Sequence, residues 1–409
     1  MERKSSILLM QLVPAKKGRA KLTRRYPARH LAYLQPLSAY CHLPVTEQKF
    51  MRSNCARRTR LLACLIVTSI CLSWSVCYAQ SANLSRVNVR LITDEAEAVL
   101  AILAKRKANE PVTDLDWQRL LSSEGYIRLK KREASLKRAF DDADFKTFVM
   151  SDQTAERAPA LADTLTRWKR AEVTRSASLA LAYLPQDAHI SAKIYPVIKP
   201  KGNSFVFEVQ TDPAIFLYLD PAVTQAQFEN TLAHELHHIG YGSSCPAAAT
   251  SAEITNLPKN TQTLIKIIGA FGEGFAMLAA AGGPNIHPHA VSSPEDRARW
   301  DRDVANFNDD LKKVAQFFLD VVAGSMTETQ IEEKAQSFFG IQGPWYTVGW
   351  KMSVVIEKTF GRARLLECIC DQRKLLPTYN SAVASYNKQS GEHLTTWSPA
   401  LLKALQPRP

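Results

Sequence analysis

Acidic residues are almost missing from the first fifth of this 409-residue chain. Residues 1–79 hold 14 of the 52 Lys and Arg but only 2 of the 39 Asp and Glu. That leaves 38 bases against 37 acids, so the formal charge of +13 belongs to the N-terminus and residues 80–409 stand at +1. A nearly neutral body has no basic face for a phosphate backbone and makes no case for nucleic acid. Cysteine is scarce as well. Five of the eight lie before residue 80, leaving Cys245, Cys368 and Cys370. Three thiols make no disulfide framework, and Cys-x-Cys on a helix is a poor bridge, so the expectation is a core held by apolar packing alone. Residues 80–409 are long enough for that, as one large domain or two lobes. They contain no internal repeat and no low-complexity tract.

The N-terminal charge has its own meaning. Arg52, Arg57, Arg58 and Arg60 precede an apolar stretch from Leu61 to Val76. Cys77-Tyr78-Ala79 then places small residues at the −3 and −1 positions before Gln80. Residues 51–79 therefore read as a signal peptide cleaved near Ala79-Gln80. The product is expected to be exported, periplasmic or extracellular, with no stable membrane association after cleavage. Residues 1–50 carry Pro14, Pro27, Pro36 and Pro44 without sustained periodicity, and read as an upstream extension or a misplaced start.

Residues 80–185 read as a helical lobe. Asp94, Glu95 and Glu97 fill a first turn, and Trp117, Leu120, Leu121, Phe140, Phe145 and Phe148 recur at helical spacings. Residues 186–283 begin differently. Ile190–Ile198, Ser204–Val209 and Ala214–Leu219 are rich in aromatic and β-branched residues, with turns at Lys201-Gly202-Asn203 and Thr211-Asp212-Pro213. A small sheet of about three strands, antiparallel, is predicted there. Residues 284–409 return to helical periodicity. Ser293-Pro294 is an N-cap followed by proline and opens a helix running past Trp300 to Phe318, and Pro344 opens another. The fold class is α+β, mainly α-helical.

Just after the strands comes His234-Glu235-Leu236-His237-His238. On a helix, His234 and His238 lie about 40° apart and one turn from each other, so both imidazoles can reach one metal ion. Glu235 projects beside them, placed to take a proton from a metal-bound water. Phe228, Leu232, Leu236 and Ile239 cluster on the opposite side, which can be buried. Gly240 and Gly242 offer a C-terminal stop. Chance gives this pattern on the order of once in a hundred chains, which favours a metal site over a coincidental histidine cluster. His237 sits off the shared face and reads as a supporting or surface residue.

A tetrahedral zinc site of the catalytic kind takes three protein ligands and keeps one open position. A third histidine six residues after His238 is missing, because residue 244 is Ser. Glu273 is the strongest candidate. On a helix it shares its face with Gly269, Ala270, Ala276, Met277 and Ala280, so that face can approach another helix closely. Glu253, His287 and His289 are the alternatives. One zinc per chain is expected.

The pattern of His234-Glu235-x-x-His238 with a later Gly272-Glu273-Gly274-x-Ala276 resembles the gluzincin group of zinc metallopeptidases. His234–Tyr241, Gly272–Leu278 and Pro344–Met352 more closely resemble an uncharacterised bacterial family described only as zinc-dependent peptidases. The resemblance covers most of residues 85–400. It implies a zincin-like fold, with His234, His238 and Glu273 as ligands and Glu235 as base and acid. Residues 80–409 then form one zinc peptidase domain acting on a peptide or protein substrate. Many gluzincins place an Asp four residues after the ligand Glu. This chain has Met277 there, so the support of His234 is unidentified. The oxyanion formed in hydrolysis needs a donor, for which Tyr346 is favoured over Tyr241, His287 and His289. An edge strand of the sheet could hold an extended peptide. Two other readings remain: a zinc hydrolase that does not cut peptides or an inactive metal-binding relative, and a helical extracytoplasmic binding or scaffold protein. The oligomeric state is not legible.

Overall fold

The computed structural model describes residues 86–202, 204–245 and 252–406, Ala252 and Glu253 by their backbone alone. The expected signal peptide and upstream extension lie outside the described residues.

Four strands form the sheet: β1 (Val87–Leu91), β2 (Ile190–Val197), β3 (Phe205–Phe207) and β4 (Ala214–Tyr218). Their order is β1-β2-β4-β3. β1, β2 and β4 run parallel, pairing Val87 with Ile190 and Ile194 with Ile215. Only β3 is antiparallel, pairing Phe205 with Phe216 of β4. The expected three antiparallel strands are thus corrected to a mixed four-stranded sheet. The turn at Thr211-Asp212-Pro213 does join a hairpin. The chain after β2, however, passes beyond the position of β4 to the far edge, so β2 and β4 meet side by side and parallel. Burial agrees, since β2 is covered along most of its length, as a central parallel strand requires. β1 was hidden by its brevity and by the charged, exposed Arg90 within it.

Between β1 and β2 the chain makes six helices: α1 (Asp94–Lys107), α2 (Asp114–Leu121), α3 (Glu124–Ser135), α4 (Asp142–Val149), α5 (Asp152–Trp168) and α6 (Val173–Leu181). They pack with the sheet into one core that contains Ile102, Leu161, Trp168, Ile194 and Ile215. The helix α7 (Gln225–Ser244) follows β4. Thr224 accepts from the Gln227 backbone N–H while the Gln227 side chain accepts from Thr224 N–H, a reciprocal N-terminal cap. Phe228, Leu232, Leu236 and Ile239 of α7 enter that first core, as their spacing predicts. Gly240 does not end the helix. It lies inside it, where a Cβ would overlap Leu184 and come within 3.0 Å of Ile190.

Further helices follow, and most of them build a second core. They are α8 (Ala252–Thr255), α9 (Lys259–Ile268), α10 (Gly272–Ala281), α11 (Pro294–Ala305), α12 (Phe307–Ala323), α13 (Glu328–Ser337), α14 (Pro344–Phe360), α15 (Arg362–Cys370), α16 (Leu375–Ser390) and α17 (Pro399–Ala404). The single helix expected from Pro294 to Phe318 is divided at Asn306. A 3-10 turn at Gly269–Phe271 links α9 to α10. The run Lys259–Ala281 is apolar enough to cross a membrane by composition, yet 67% of its most apolar window is buried among the protein's own helices. Phe271, Phe318, Trp345 and Trp397 pack ring against ring at the centre of this core. The metal-motif helix α7 therefore has its back in the first core, and α10 and α14, which face its front, belong to the second.

Candidate metal centre

One turn of helix separates His234 from His238, and the structure turns both rings the same way. Their Nε2 atoms lie 3.1 Å apart. Each is 3.3 Å from Oε2 of Glu273 on α10. Asn230, one turn before His234, donates to the Ala280 carbonyl at 3.1 Å and so holds α10 alongside α7. The three donor atoms fall within 4.8 Å of one another. That spacing is a test of fit. Ligands about 2.0–2.1 Å from a tetrahedral zinc are separated by about 3.3 Å. Two imidazole nitrogens and one carboxylate oxygen are also the donor types that zinc takes.

Electrostatics point the same way. His234 and Glu273 are buried and His238 is half-buried. Burial alone would push the Glu273 carboxyl up, but the His238 and His234 imidazoles outweigh it and hold it at about 2. Burial pulls His238 down, and Glu273 more than reverses that. The carboxylate is thus an anion held between the two imidazoles. Glu235 is buried beside them, and burial raises its carboxyl above the usual range against the pull of the two histidines.

Tyr346, in the first turn of α14, stacks on the His234 ring with centroids 6.3 Å apart and planes 16° from parallel. Burial first, then the Glu273 and Glu235 charges, push its hydroxyl upward and keep it protonated. The structure therefore gathers His234, Glu235, His238, Glu273 and Tyr346 at one place.

The other candidates go elsewhere. His237 donates from Nε2 to the Tyr183 carbonyl at 3.2 Å, and burial lowers it to about 3, so it is a neutral anchor of α7. Gln372 donates to the Tyr241 hydroxyl. His287 pairs with Asp301 at 2.8 Å, and His289 packs on Trp300 while bonding Ser292. The side chain of Glu253 lies outside the described residues. Met277 is buried, and Nδ1 of His234 has no hydrogen-bond partner among the described residues.

Sequence reasoning missed how α7 is anchored. Cys245, just past its last turn, forms a disulfide with Cys370 at the end of α15. This corrects the expectation of a core without bridges. Cys368 and Cys370 are two residues apart, so a helix points them about 200° away from each other. Cys368 is buried as a free thiol, while Cys370 reaches Cys245. The signal was available in the position of Cys245, at the end of a helix where a bridge can staple it.

Neither a curated protein nor a solved structure matches the chain. One family does, over residues 104–388, and its description is "Putative zinc dependent peptidase (DUF5700)". The matched region contains both histidines, Glu273, Tyr346 and both bridged cysteines. The chain belongs to the family that carries this description.

Proposed function

We propose that the protein is an exported zinc metallopeptidase with a zincin-like site, in which His234, His238 and Glu273 hold one zinc ion and Glu235 is general base and acid. The observation that carries this reading is the spacing of the three donor atoms, within 0.3 Å of what a tetrahedral ion needs. When bound, zinc supplies Lewis acidity toward water and toward a substrate carbonyl. Glu235 takes the proton of the attacking water and passes it to the leaving amine. Its burial keeps bulk water from competing for that proton. Tyr346 donates its O–H to the oxyanion of the tetrahedral intermediate, a donation strengthened by the buried setting. An edge strand of the sheet offers an extended peptide backbone a ladder of hydrogen bonds. The Cys245–Cys370 bridge supports action in an oxidising compartment, in keeping with the signal peptide read at 51–79.

The test is digestion of a broad peptide library by residues 80–409, with Glu235→Gln beside it. Peptides should be cut by the parent protein. Glu235→Gln should keep the fold and the zinc and lose activity by about 10²–10⁴-fold. A zinc-replete parent that leaves every peptide intact would turn the assignment toward a non-peptidase hydrolase. Equal activity in Glu235→Gln would remove Glu235 from the mechanism.

A further inference from the structure

Four glycines fall within Gly269–Gly274 and α14, and packing treats them very differently. A Cβ on Gly269 or on Gly272 would meet nothing within 4 Å. A Cβ on Gly274 would overlap backbone atoms of Trp350 and Gly349, with the Gly349 Cα only 2.6 Å away. A Cβ on Gly349 would come within 2.7 Å of the Phe271 carbonyl oxygen and 3.3 Å of the Gly274 Cα. These obstacles are main-chain atoms, which cannot rotate aside as a side chain would. Helices α10 and α14 therefore touch backbone to backbone, and only glycine on both sides allows it.

The contact lies next to the chemistry. Glu273 precedes Gly274 on α10, and Tyr346 lies three residues before Gly349 on α14. We infer that Gly274 and Gly349 are positioning residues whose close crossing sets the Tyr346 ring against the His234 ring. The inference rests on the reading of Tyr346 as oxyanion donor for its kinetic consequence, though not for its geometric one. A hydroxyl that must meet an oxyanion has a tolerance of a few tenths of an ångström. Separating the helices enough to admit one methyl group exceeds that. The two histidines lie on α7, outside this contact, and the Asn230 bond to the Ala280 carbonyl holds α10 to α7, so α14 is the helix that yields.

Gly349→Ala is the test, with Gly269→Ala as the control that should change nothing. Gly349→Ala should keep full zinc and lower kcat by about tenfold or more with KM within about twofold, because the donor acts on the transition state. In a Tyr346→Phe background the same change should cost less than about twofold more, since the group it positions is already gone. A full additional loss in that background overturns the inference. A crystal structure of Gly349→Ala separates this failure from failure of the Tyr346 role. A Tyr346 ring still stacked on His234 as in the parent refutes the positioning, whatever the kinetics. A displaced ring with unchanged turnover supports the positioning and refutes only the oxyanion role. If Gly349→Ala does not fold, Trp345→Leu loosens α14 from Phe271 without touching either glycine and should give the same kcat loss and the same non-additivity. The opposite result there overturns the inference equally.

Discussion

Glu95 offers a sharp test of the electrostatics, away from the site. It sits in the first turn of α1, 1% exposed. One carboxyl oxygen accepts the Ile198 backbone N–H at 3.0 Å, at the end of β2, and the other has no hydrogen-bond partner among the described residues. Burial pushes this carboxyl from 4.5 up to about 8; the Ile198 N–H and nearby Lys199 pull it down, and Asp94 pushes it further up. The sign follows from proton counting. Between these two values the unfolded chain releases the proton and the folded chain keeps it, so stability is full below pH 4.5 and falls as pH rises toward 8. The slope is about 1.4 kcal/mol per pH unit, or about 3 kcal/mol lost by pH 7. Glu95→Gln imitates the protonated form and keeps the acceptor for Ile198. It should match the parent near pH 4.5–5 and exceed its stability by about 3 kcal/mol near pH 7. Lys199, lowered by burial to about 7, contributes in the opposite direction above that pH. Zinc binding is common to both proteins and cancels in the difference, whereas Lys199 interacts with Glu95 itself, so the slope is read below pH 7. Urea unfolding at a series of pH values measures it. A gap between the two proteins that does not change with pH would falsify the assignment of a buried, protonated Glu95.

Other expectations can be checked alongside it. Tyr346→Phe should keep zinc and lower kcat more than it raises KM, and unchanged turnover would leave the hydroxyl without an oxyanion role. Cys245→Ser, or reduction of the parent, removes a link that closes a separation of 125 residues and should cost about 2–5 kcal/mol. An unmoved urea midpoint would mean that the bridge constrains nothing. N-terminal sequencing of the exported form should begin at or near Gln80, and a full-length, membrane-retained product would indicate an uncleaved anchor instead.

What could be read in advance followed the strength of local periodicity. The back of α7 was legible because Phe228, Leu232, Leu236 and Ile239 repeat at helical spacing, and the structure buries all four. Glu273 stood out because its helix face was bare. Strand positions were legible from runs such as Ala214–Leu219, but strand direction was not. Pairing of β1 with β2 spans about a hundred residues, and nothing local records it. The glycines misled in a telling way. The expected bare face pointed to Gly269, where the structure has open space, whereas Gly274 and Gly349 make the close approach. The demand for glycine there comes from another helix, which one segment's sequence cannot show. The disulfide joins segments 125 residues apart, and the place of Cys245 at a helix end was its one local sign.

The measurement closest to the central claim is zinc content of purified residues 80–409, with Glu273→Ala prepared in parallel. The account predicts one zinc per parent chain and loss of it in Glu273→Ala, as in His234→Ala and His238→Ala. Full zinc stoichiometry in a folded Glu273→Ala protein would contradict it.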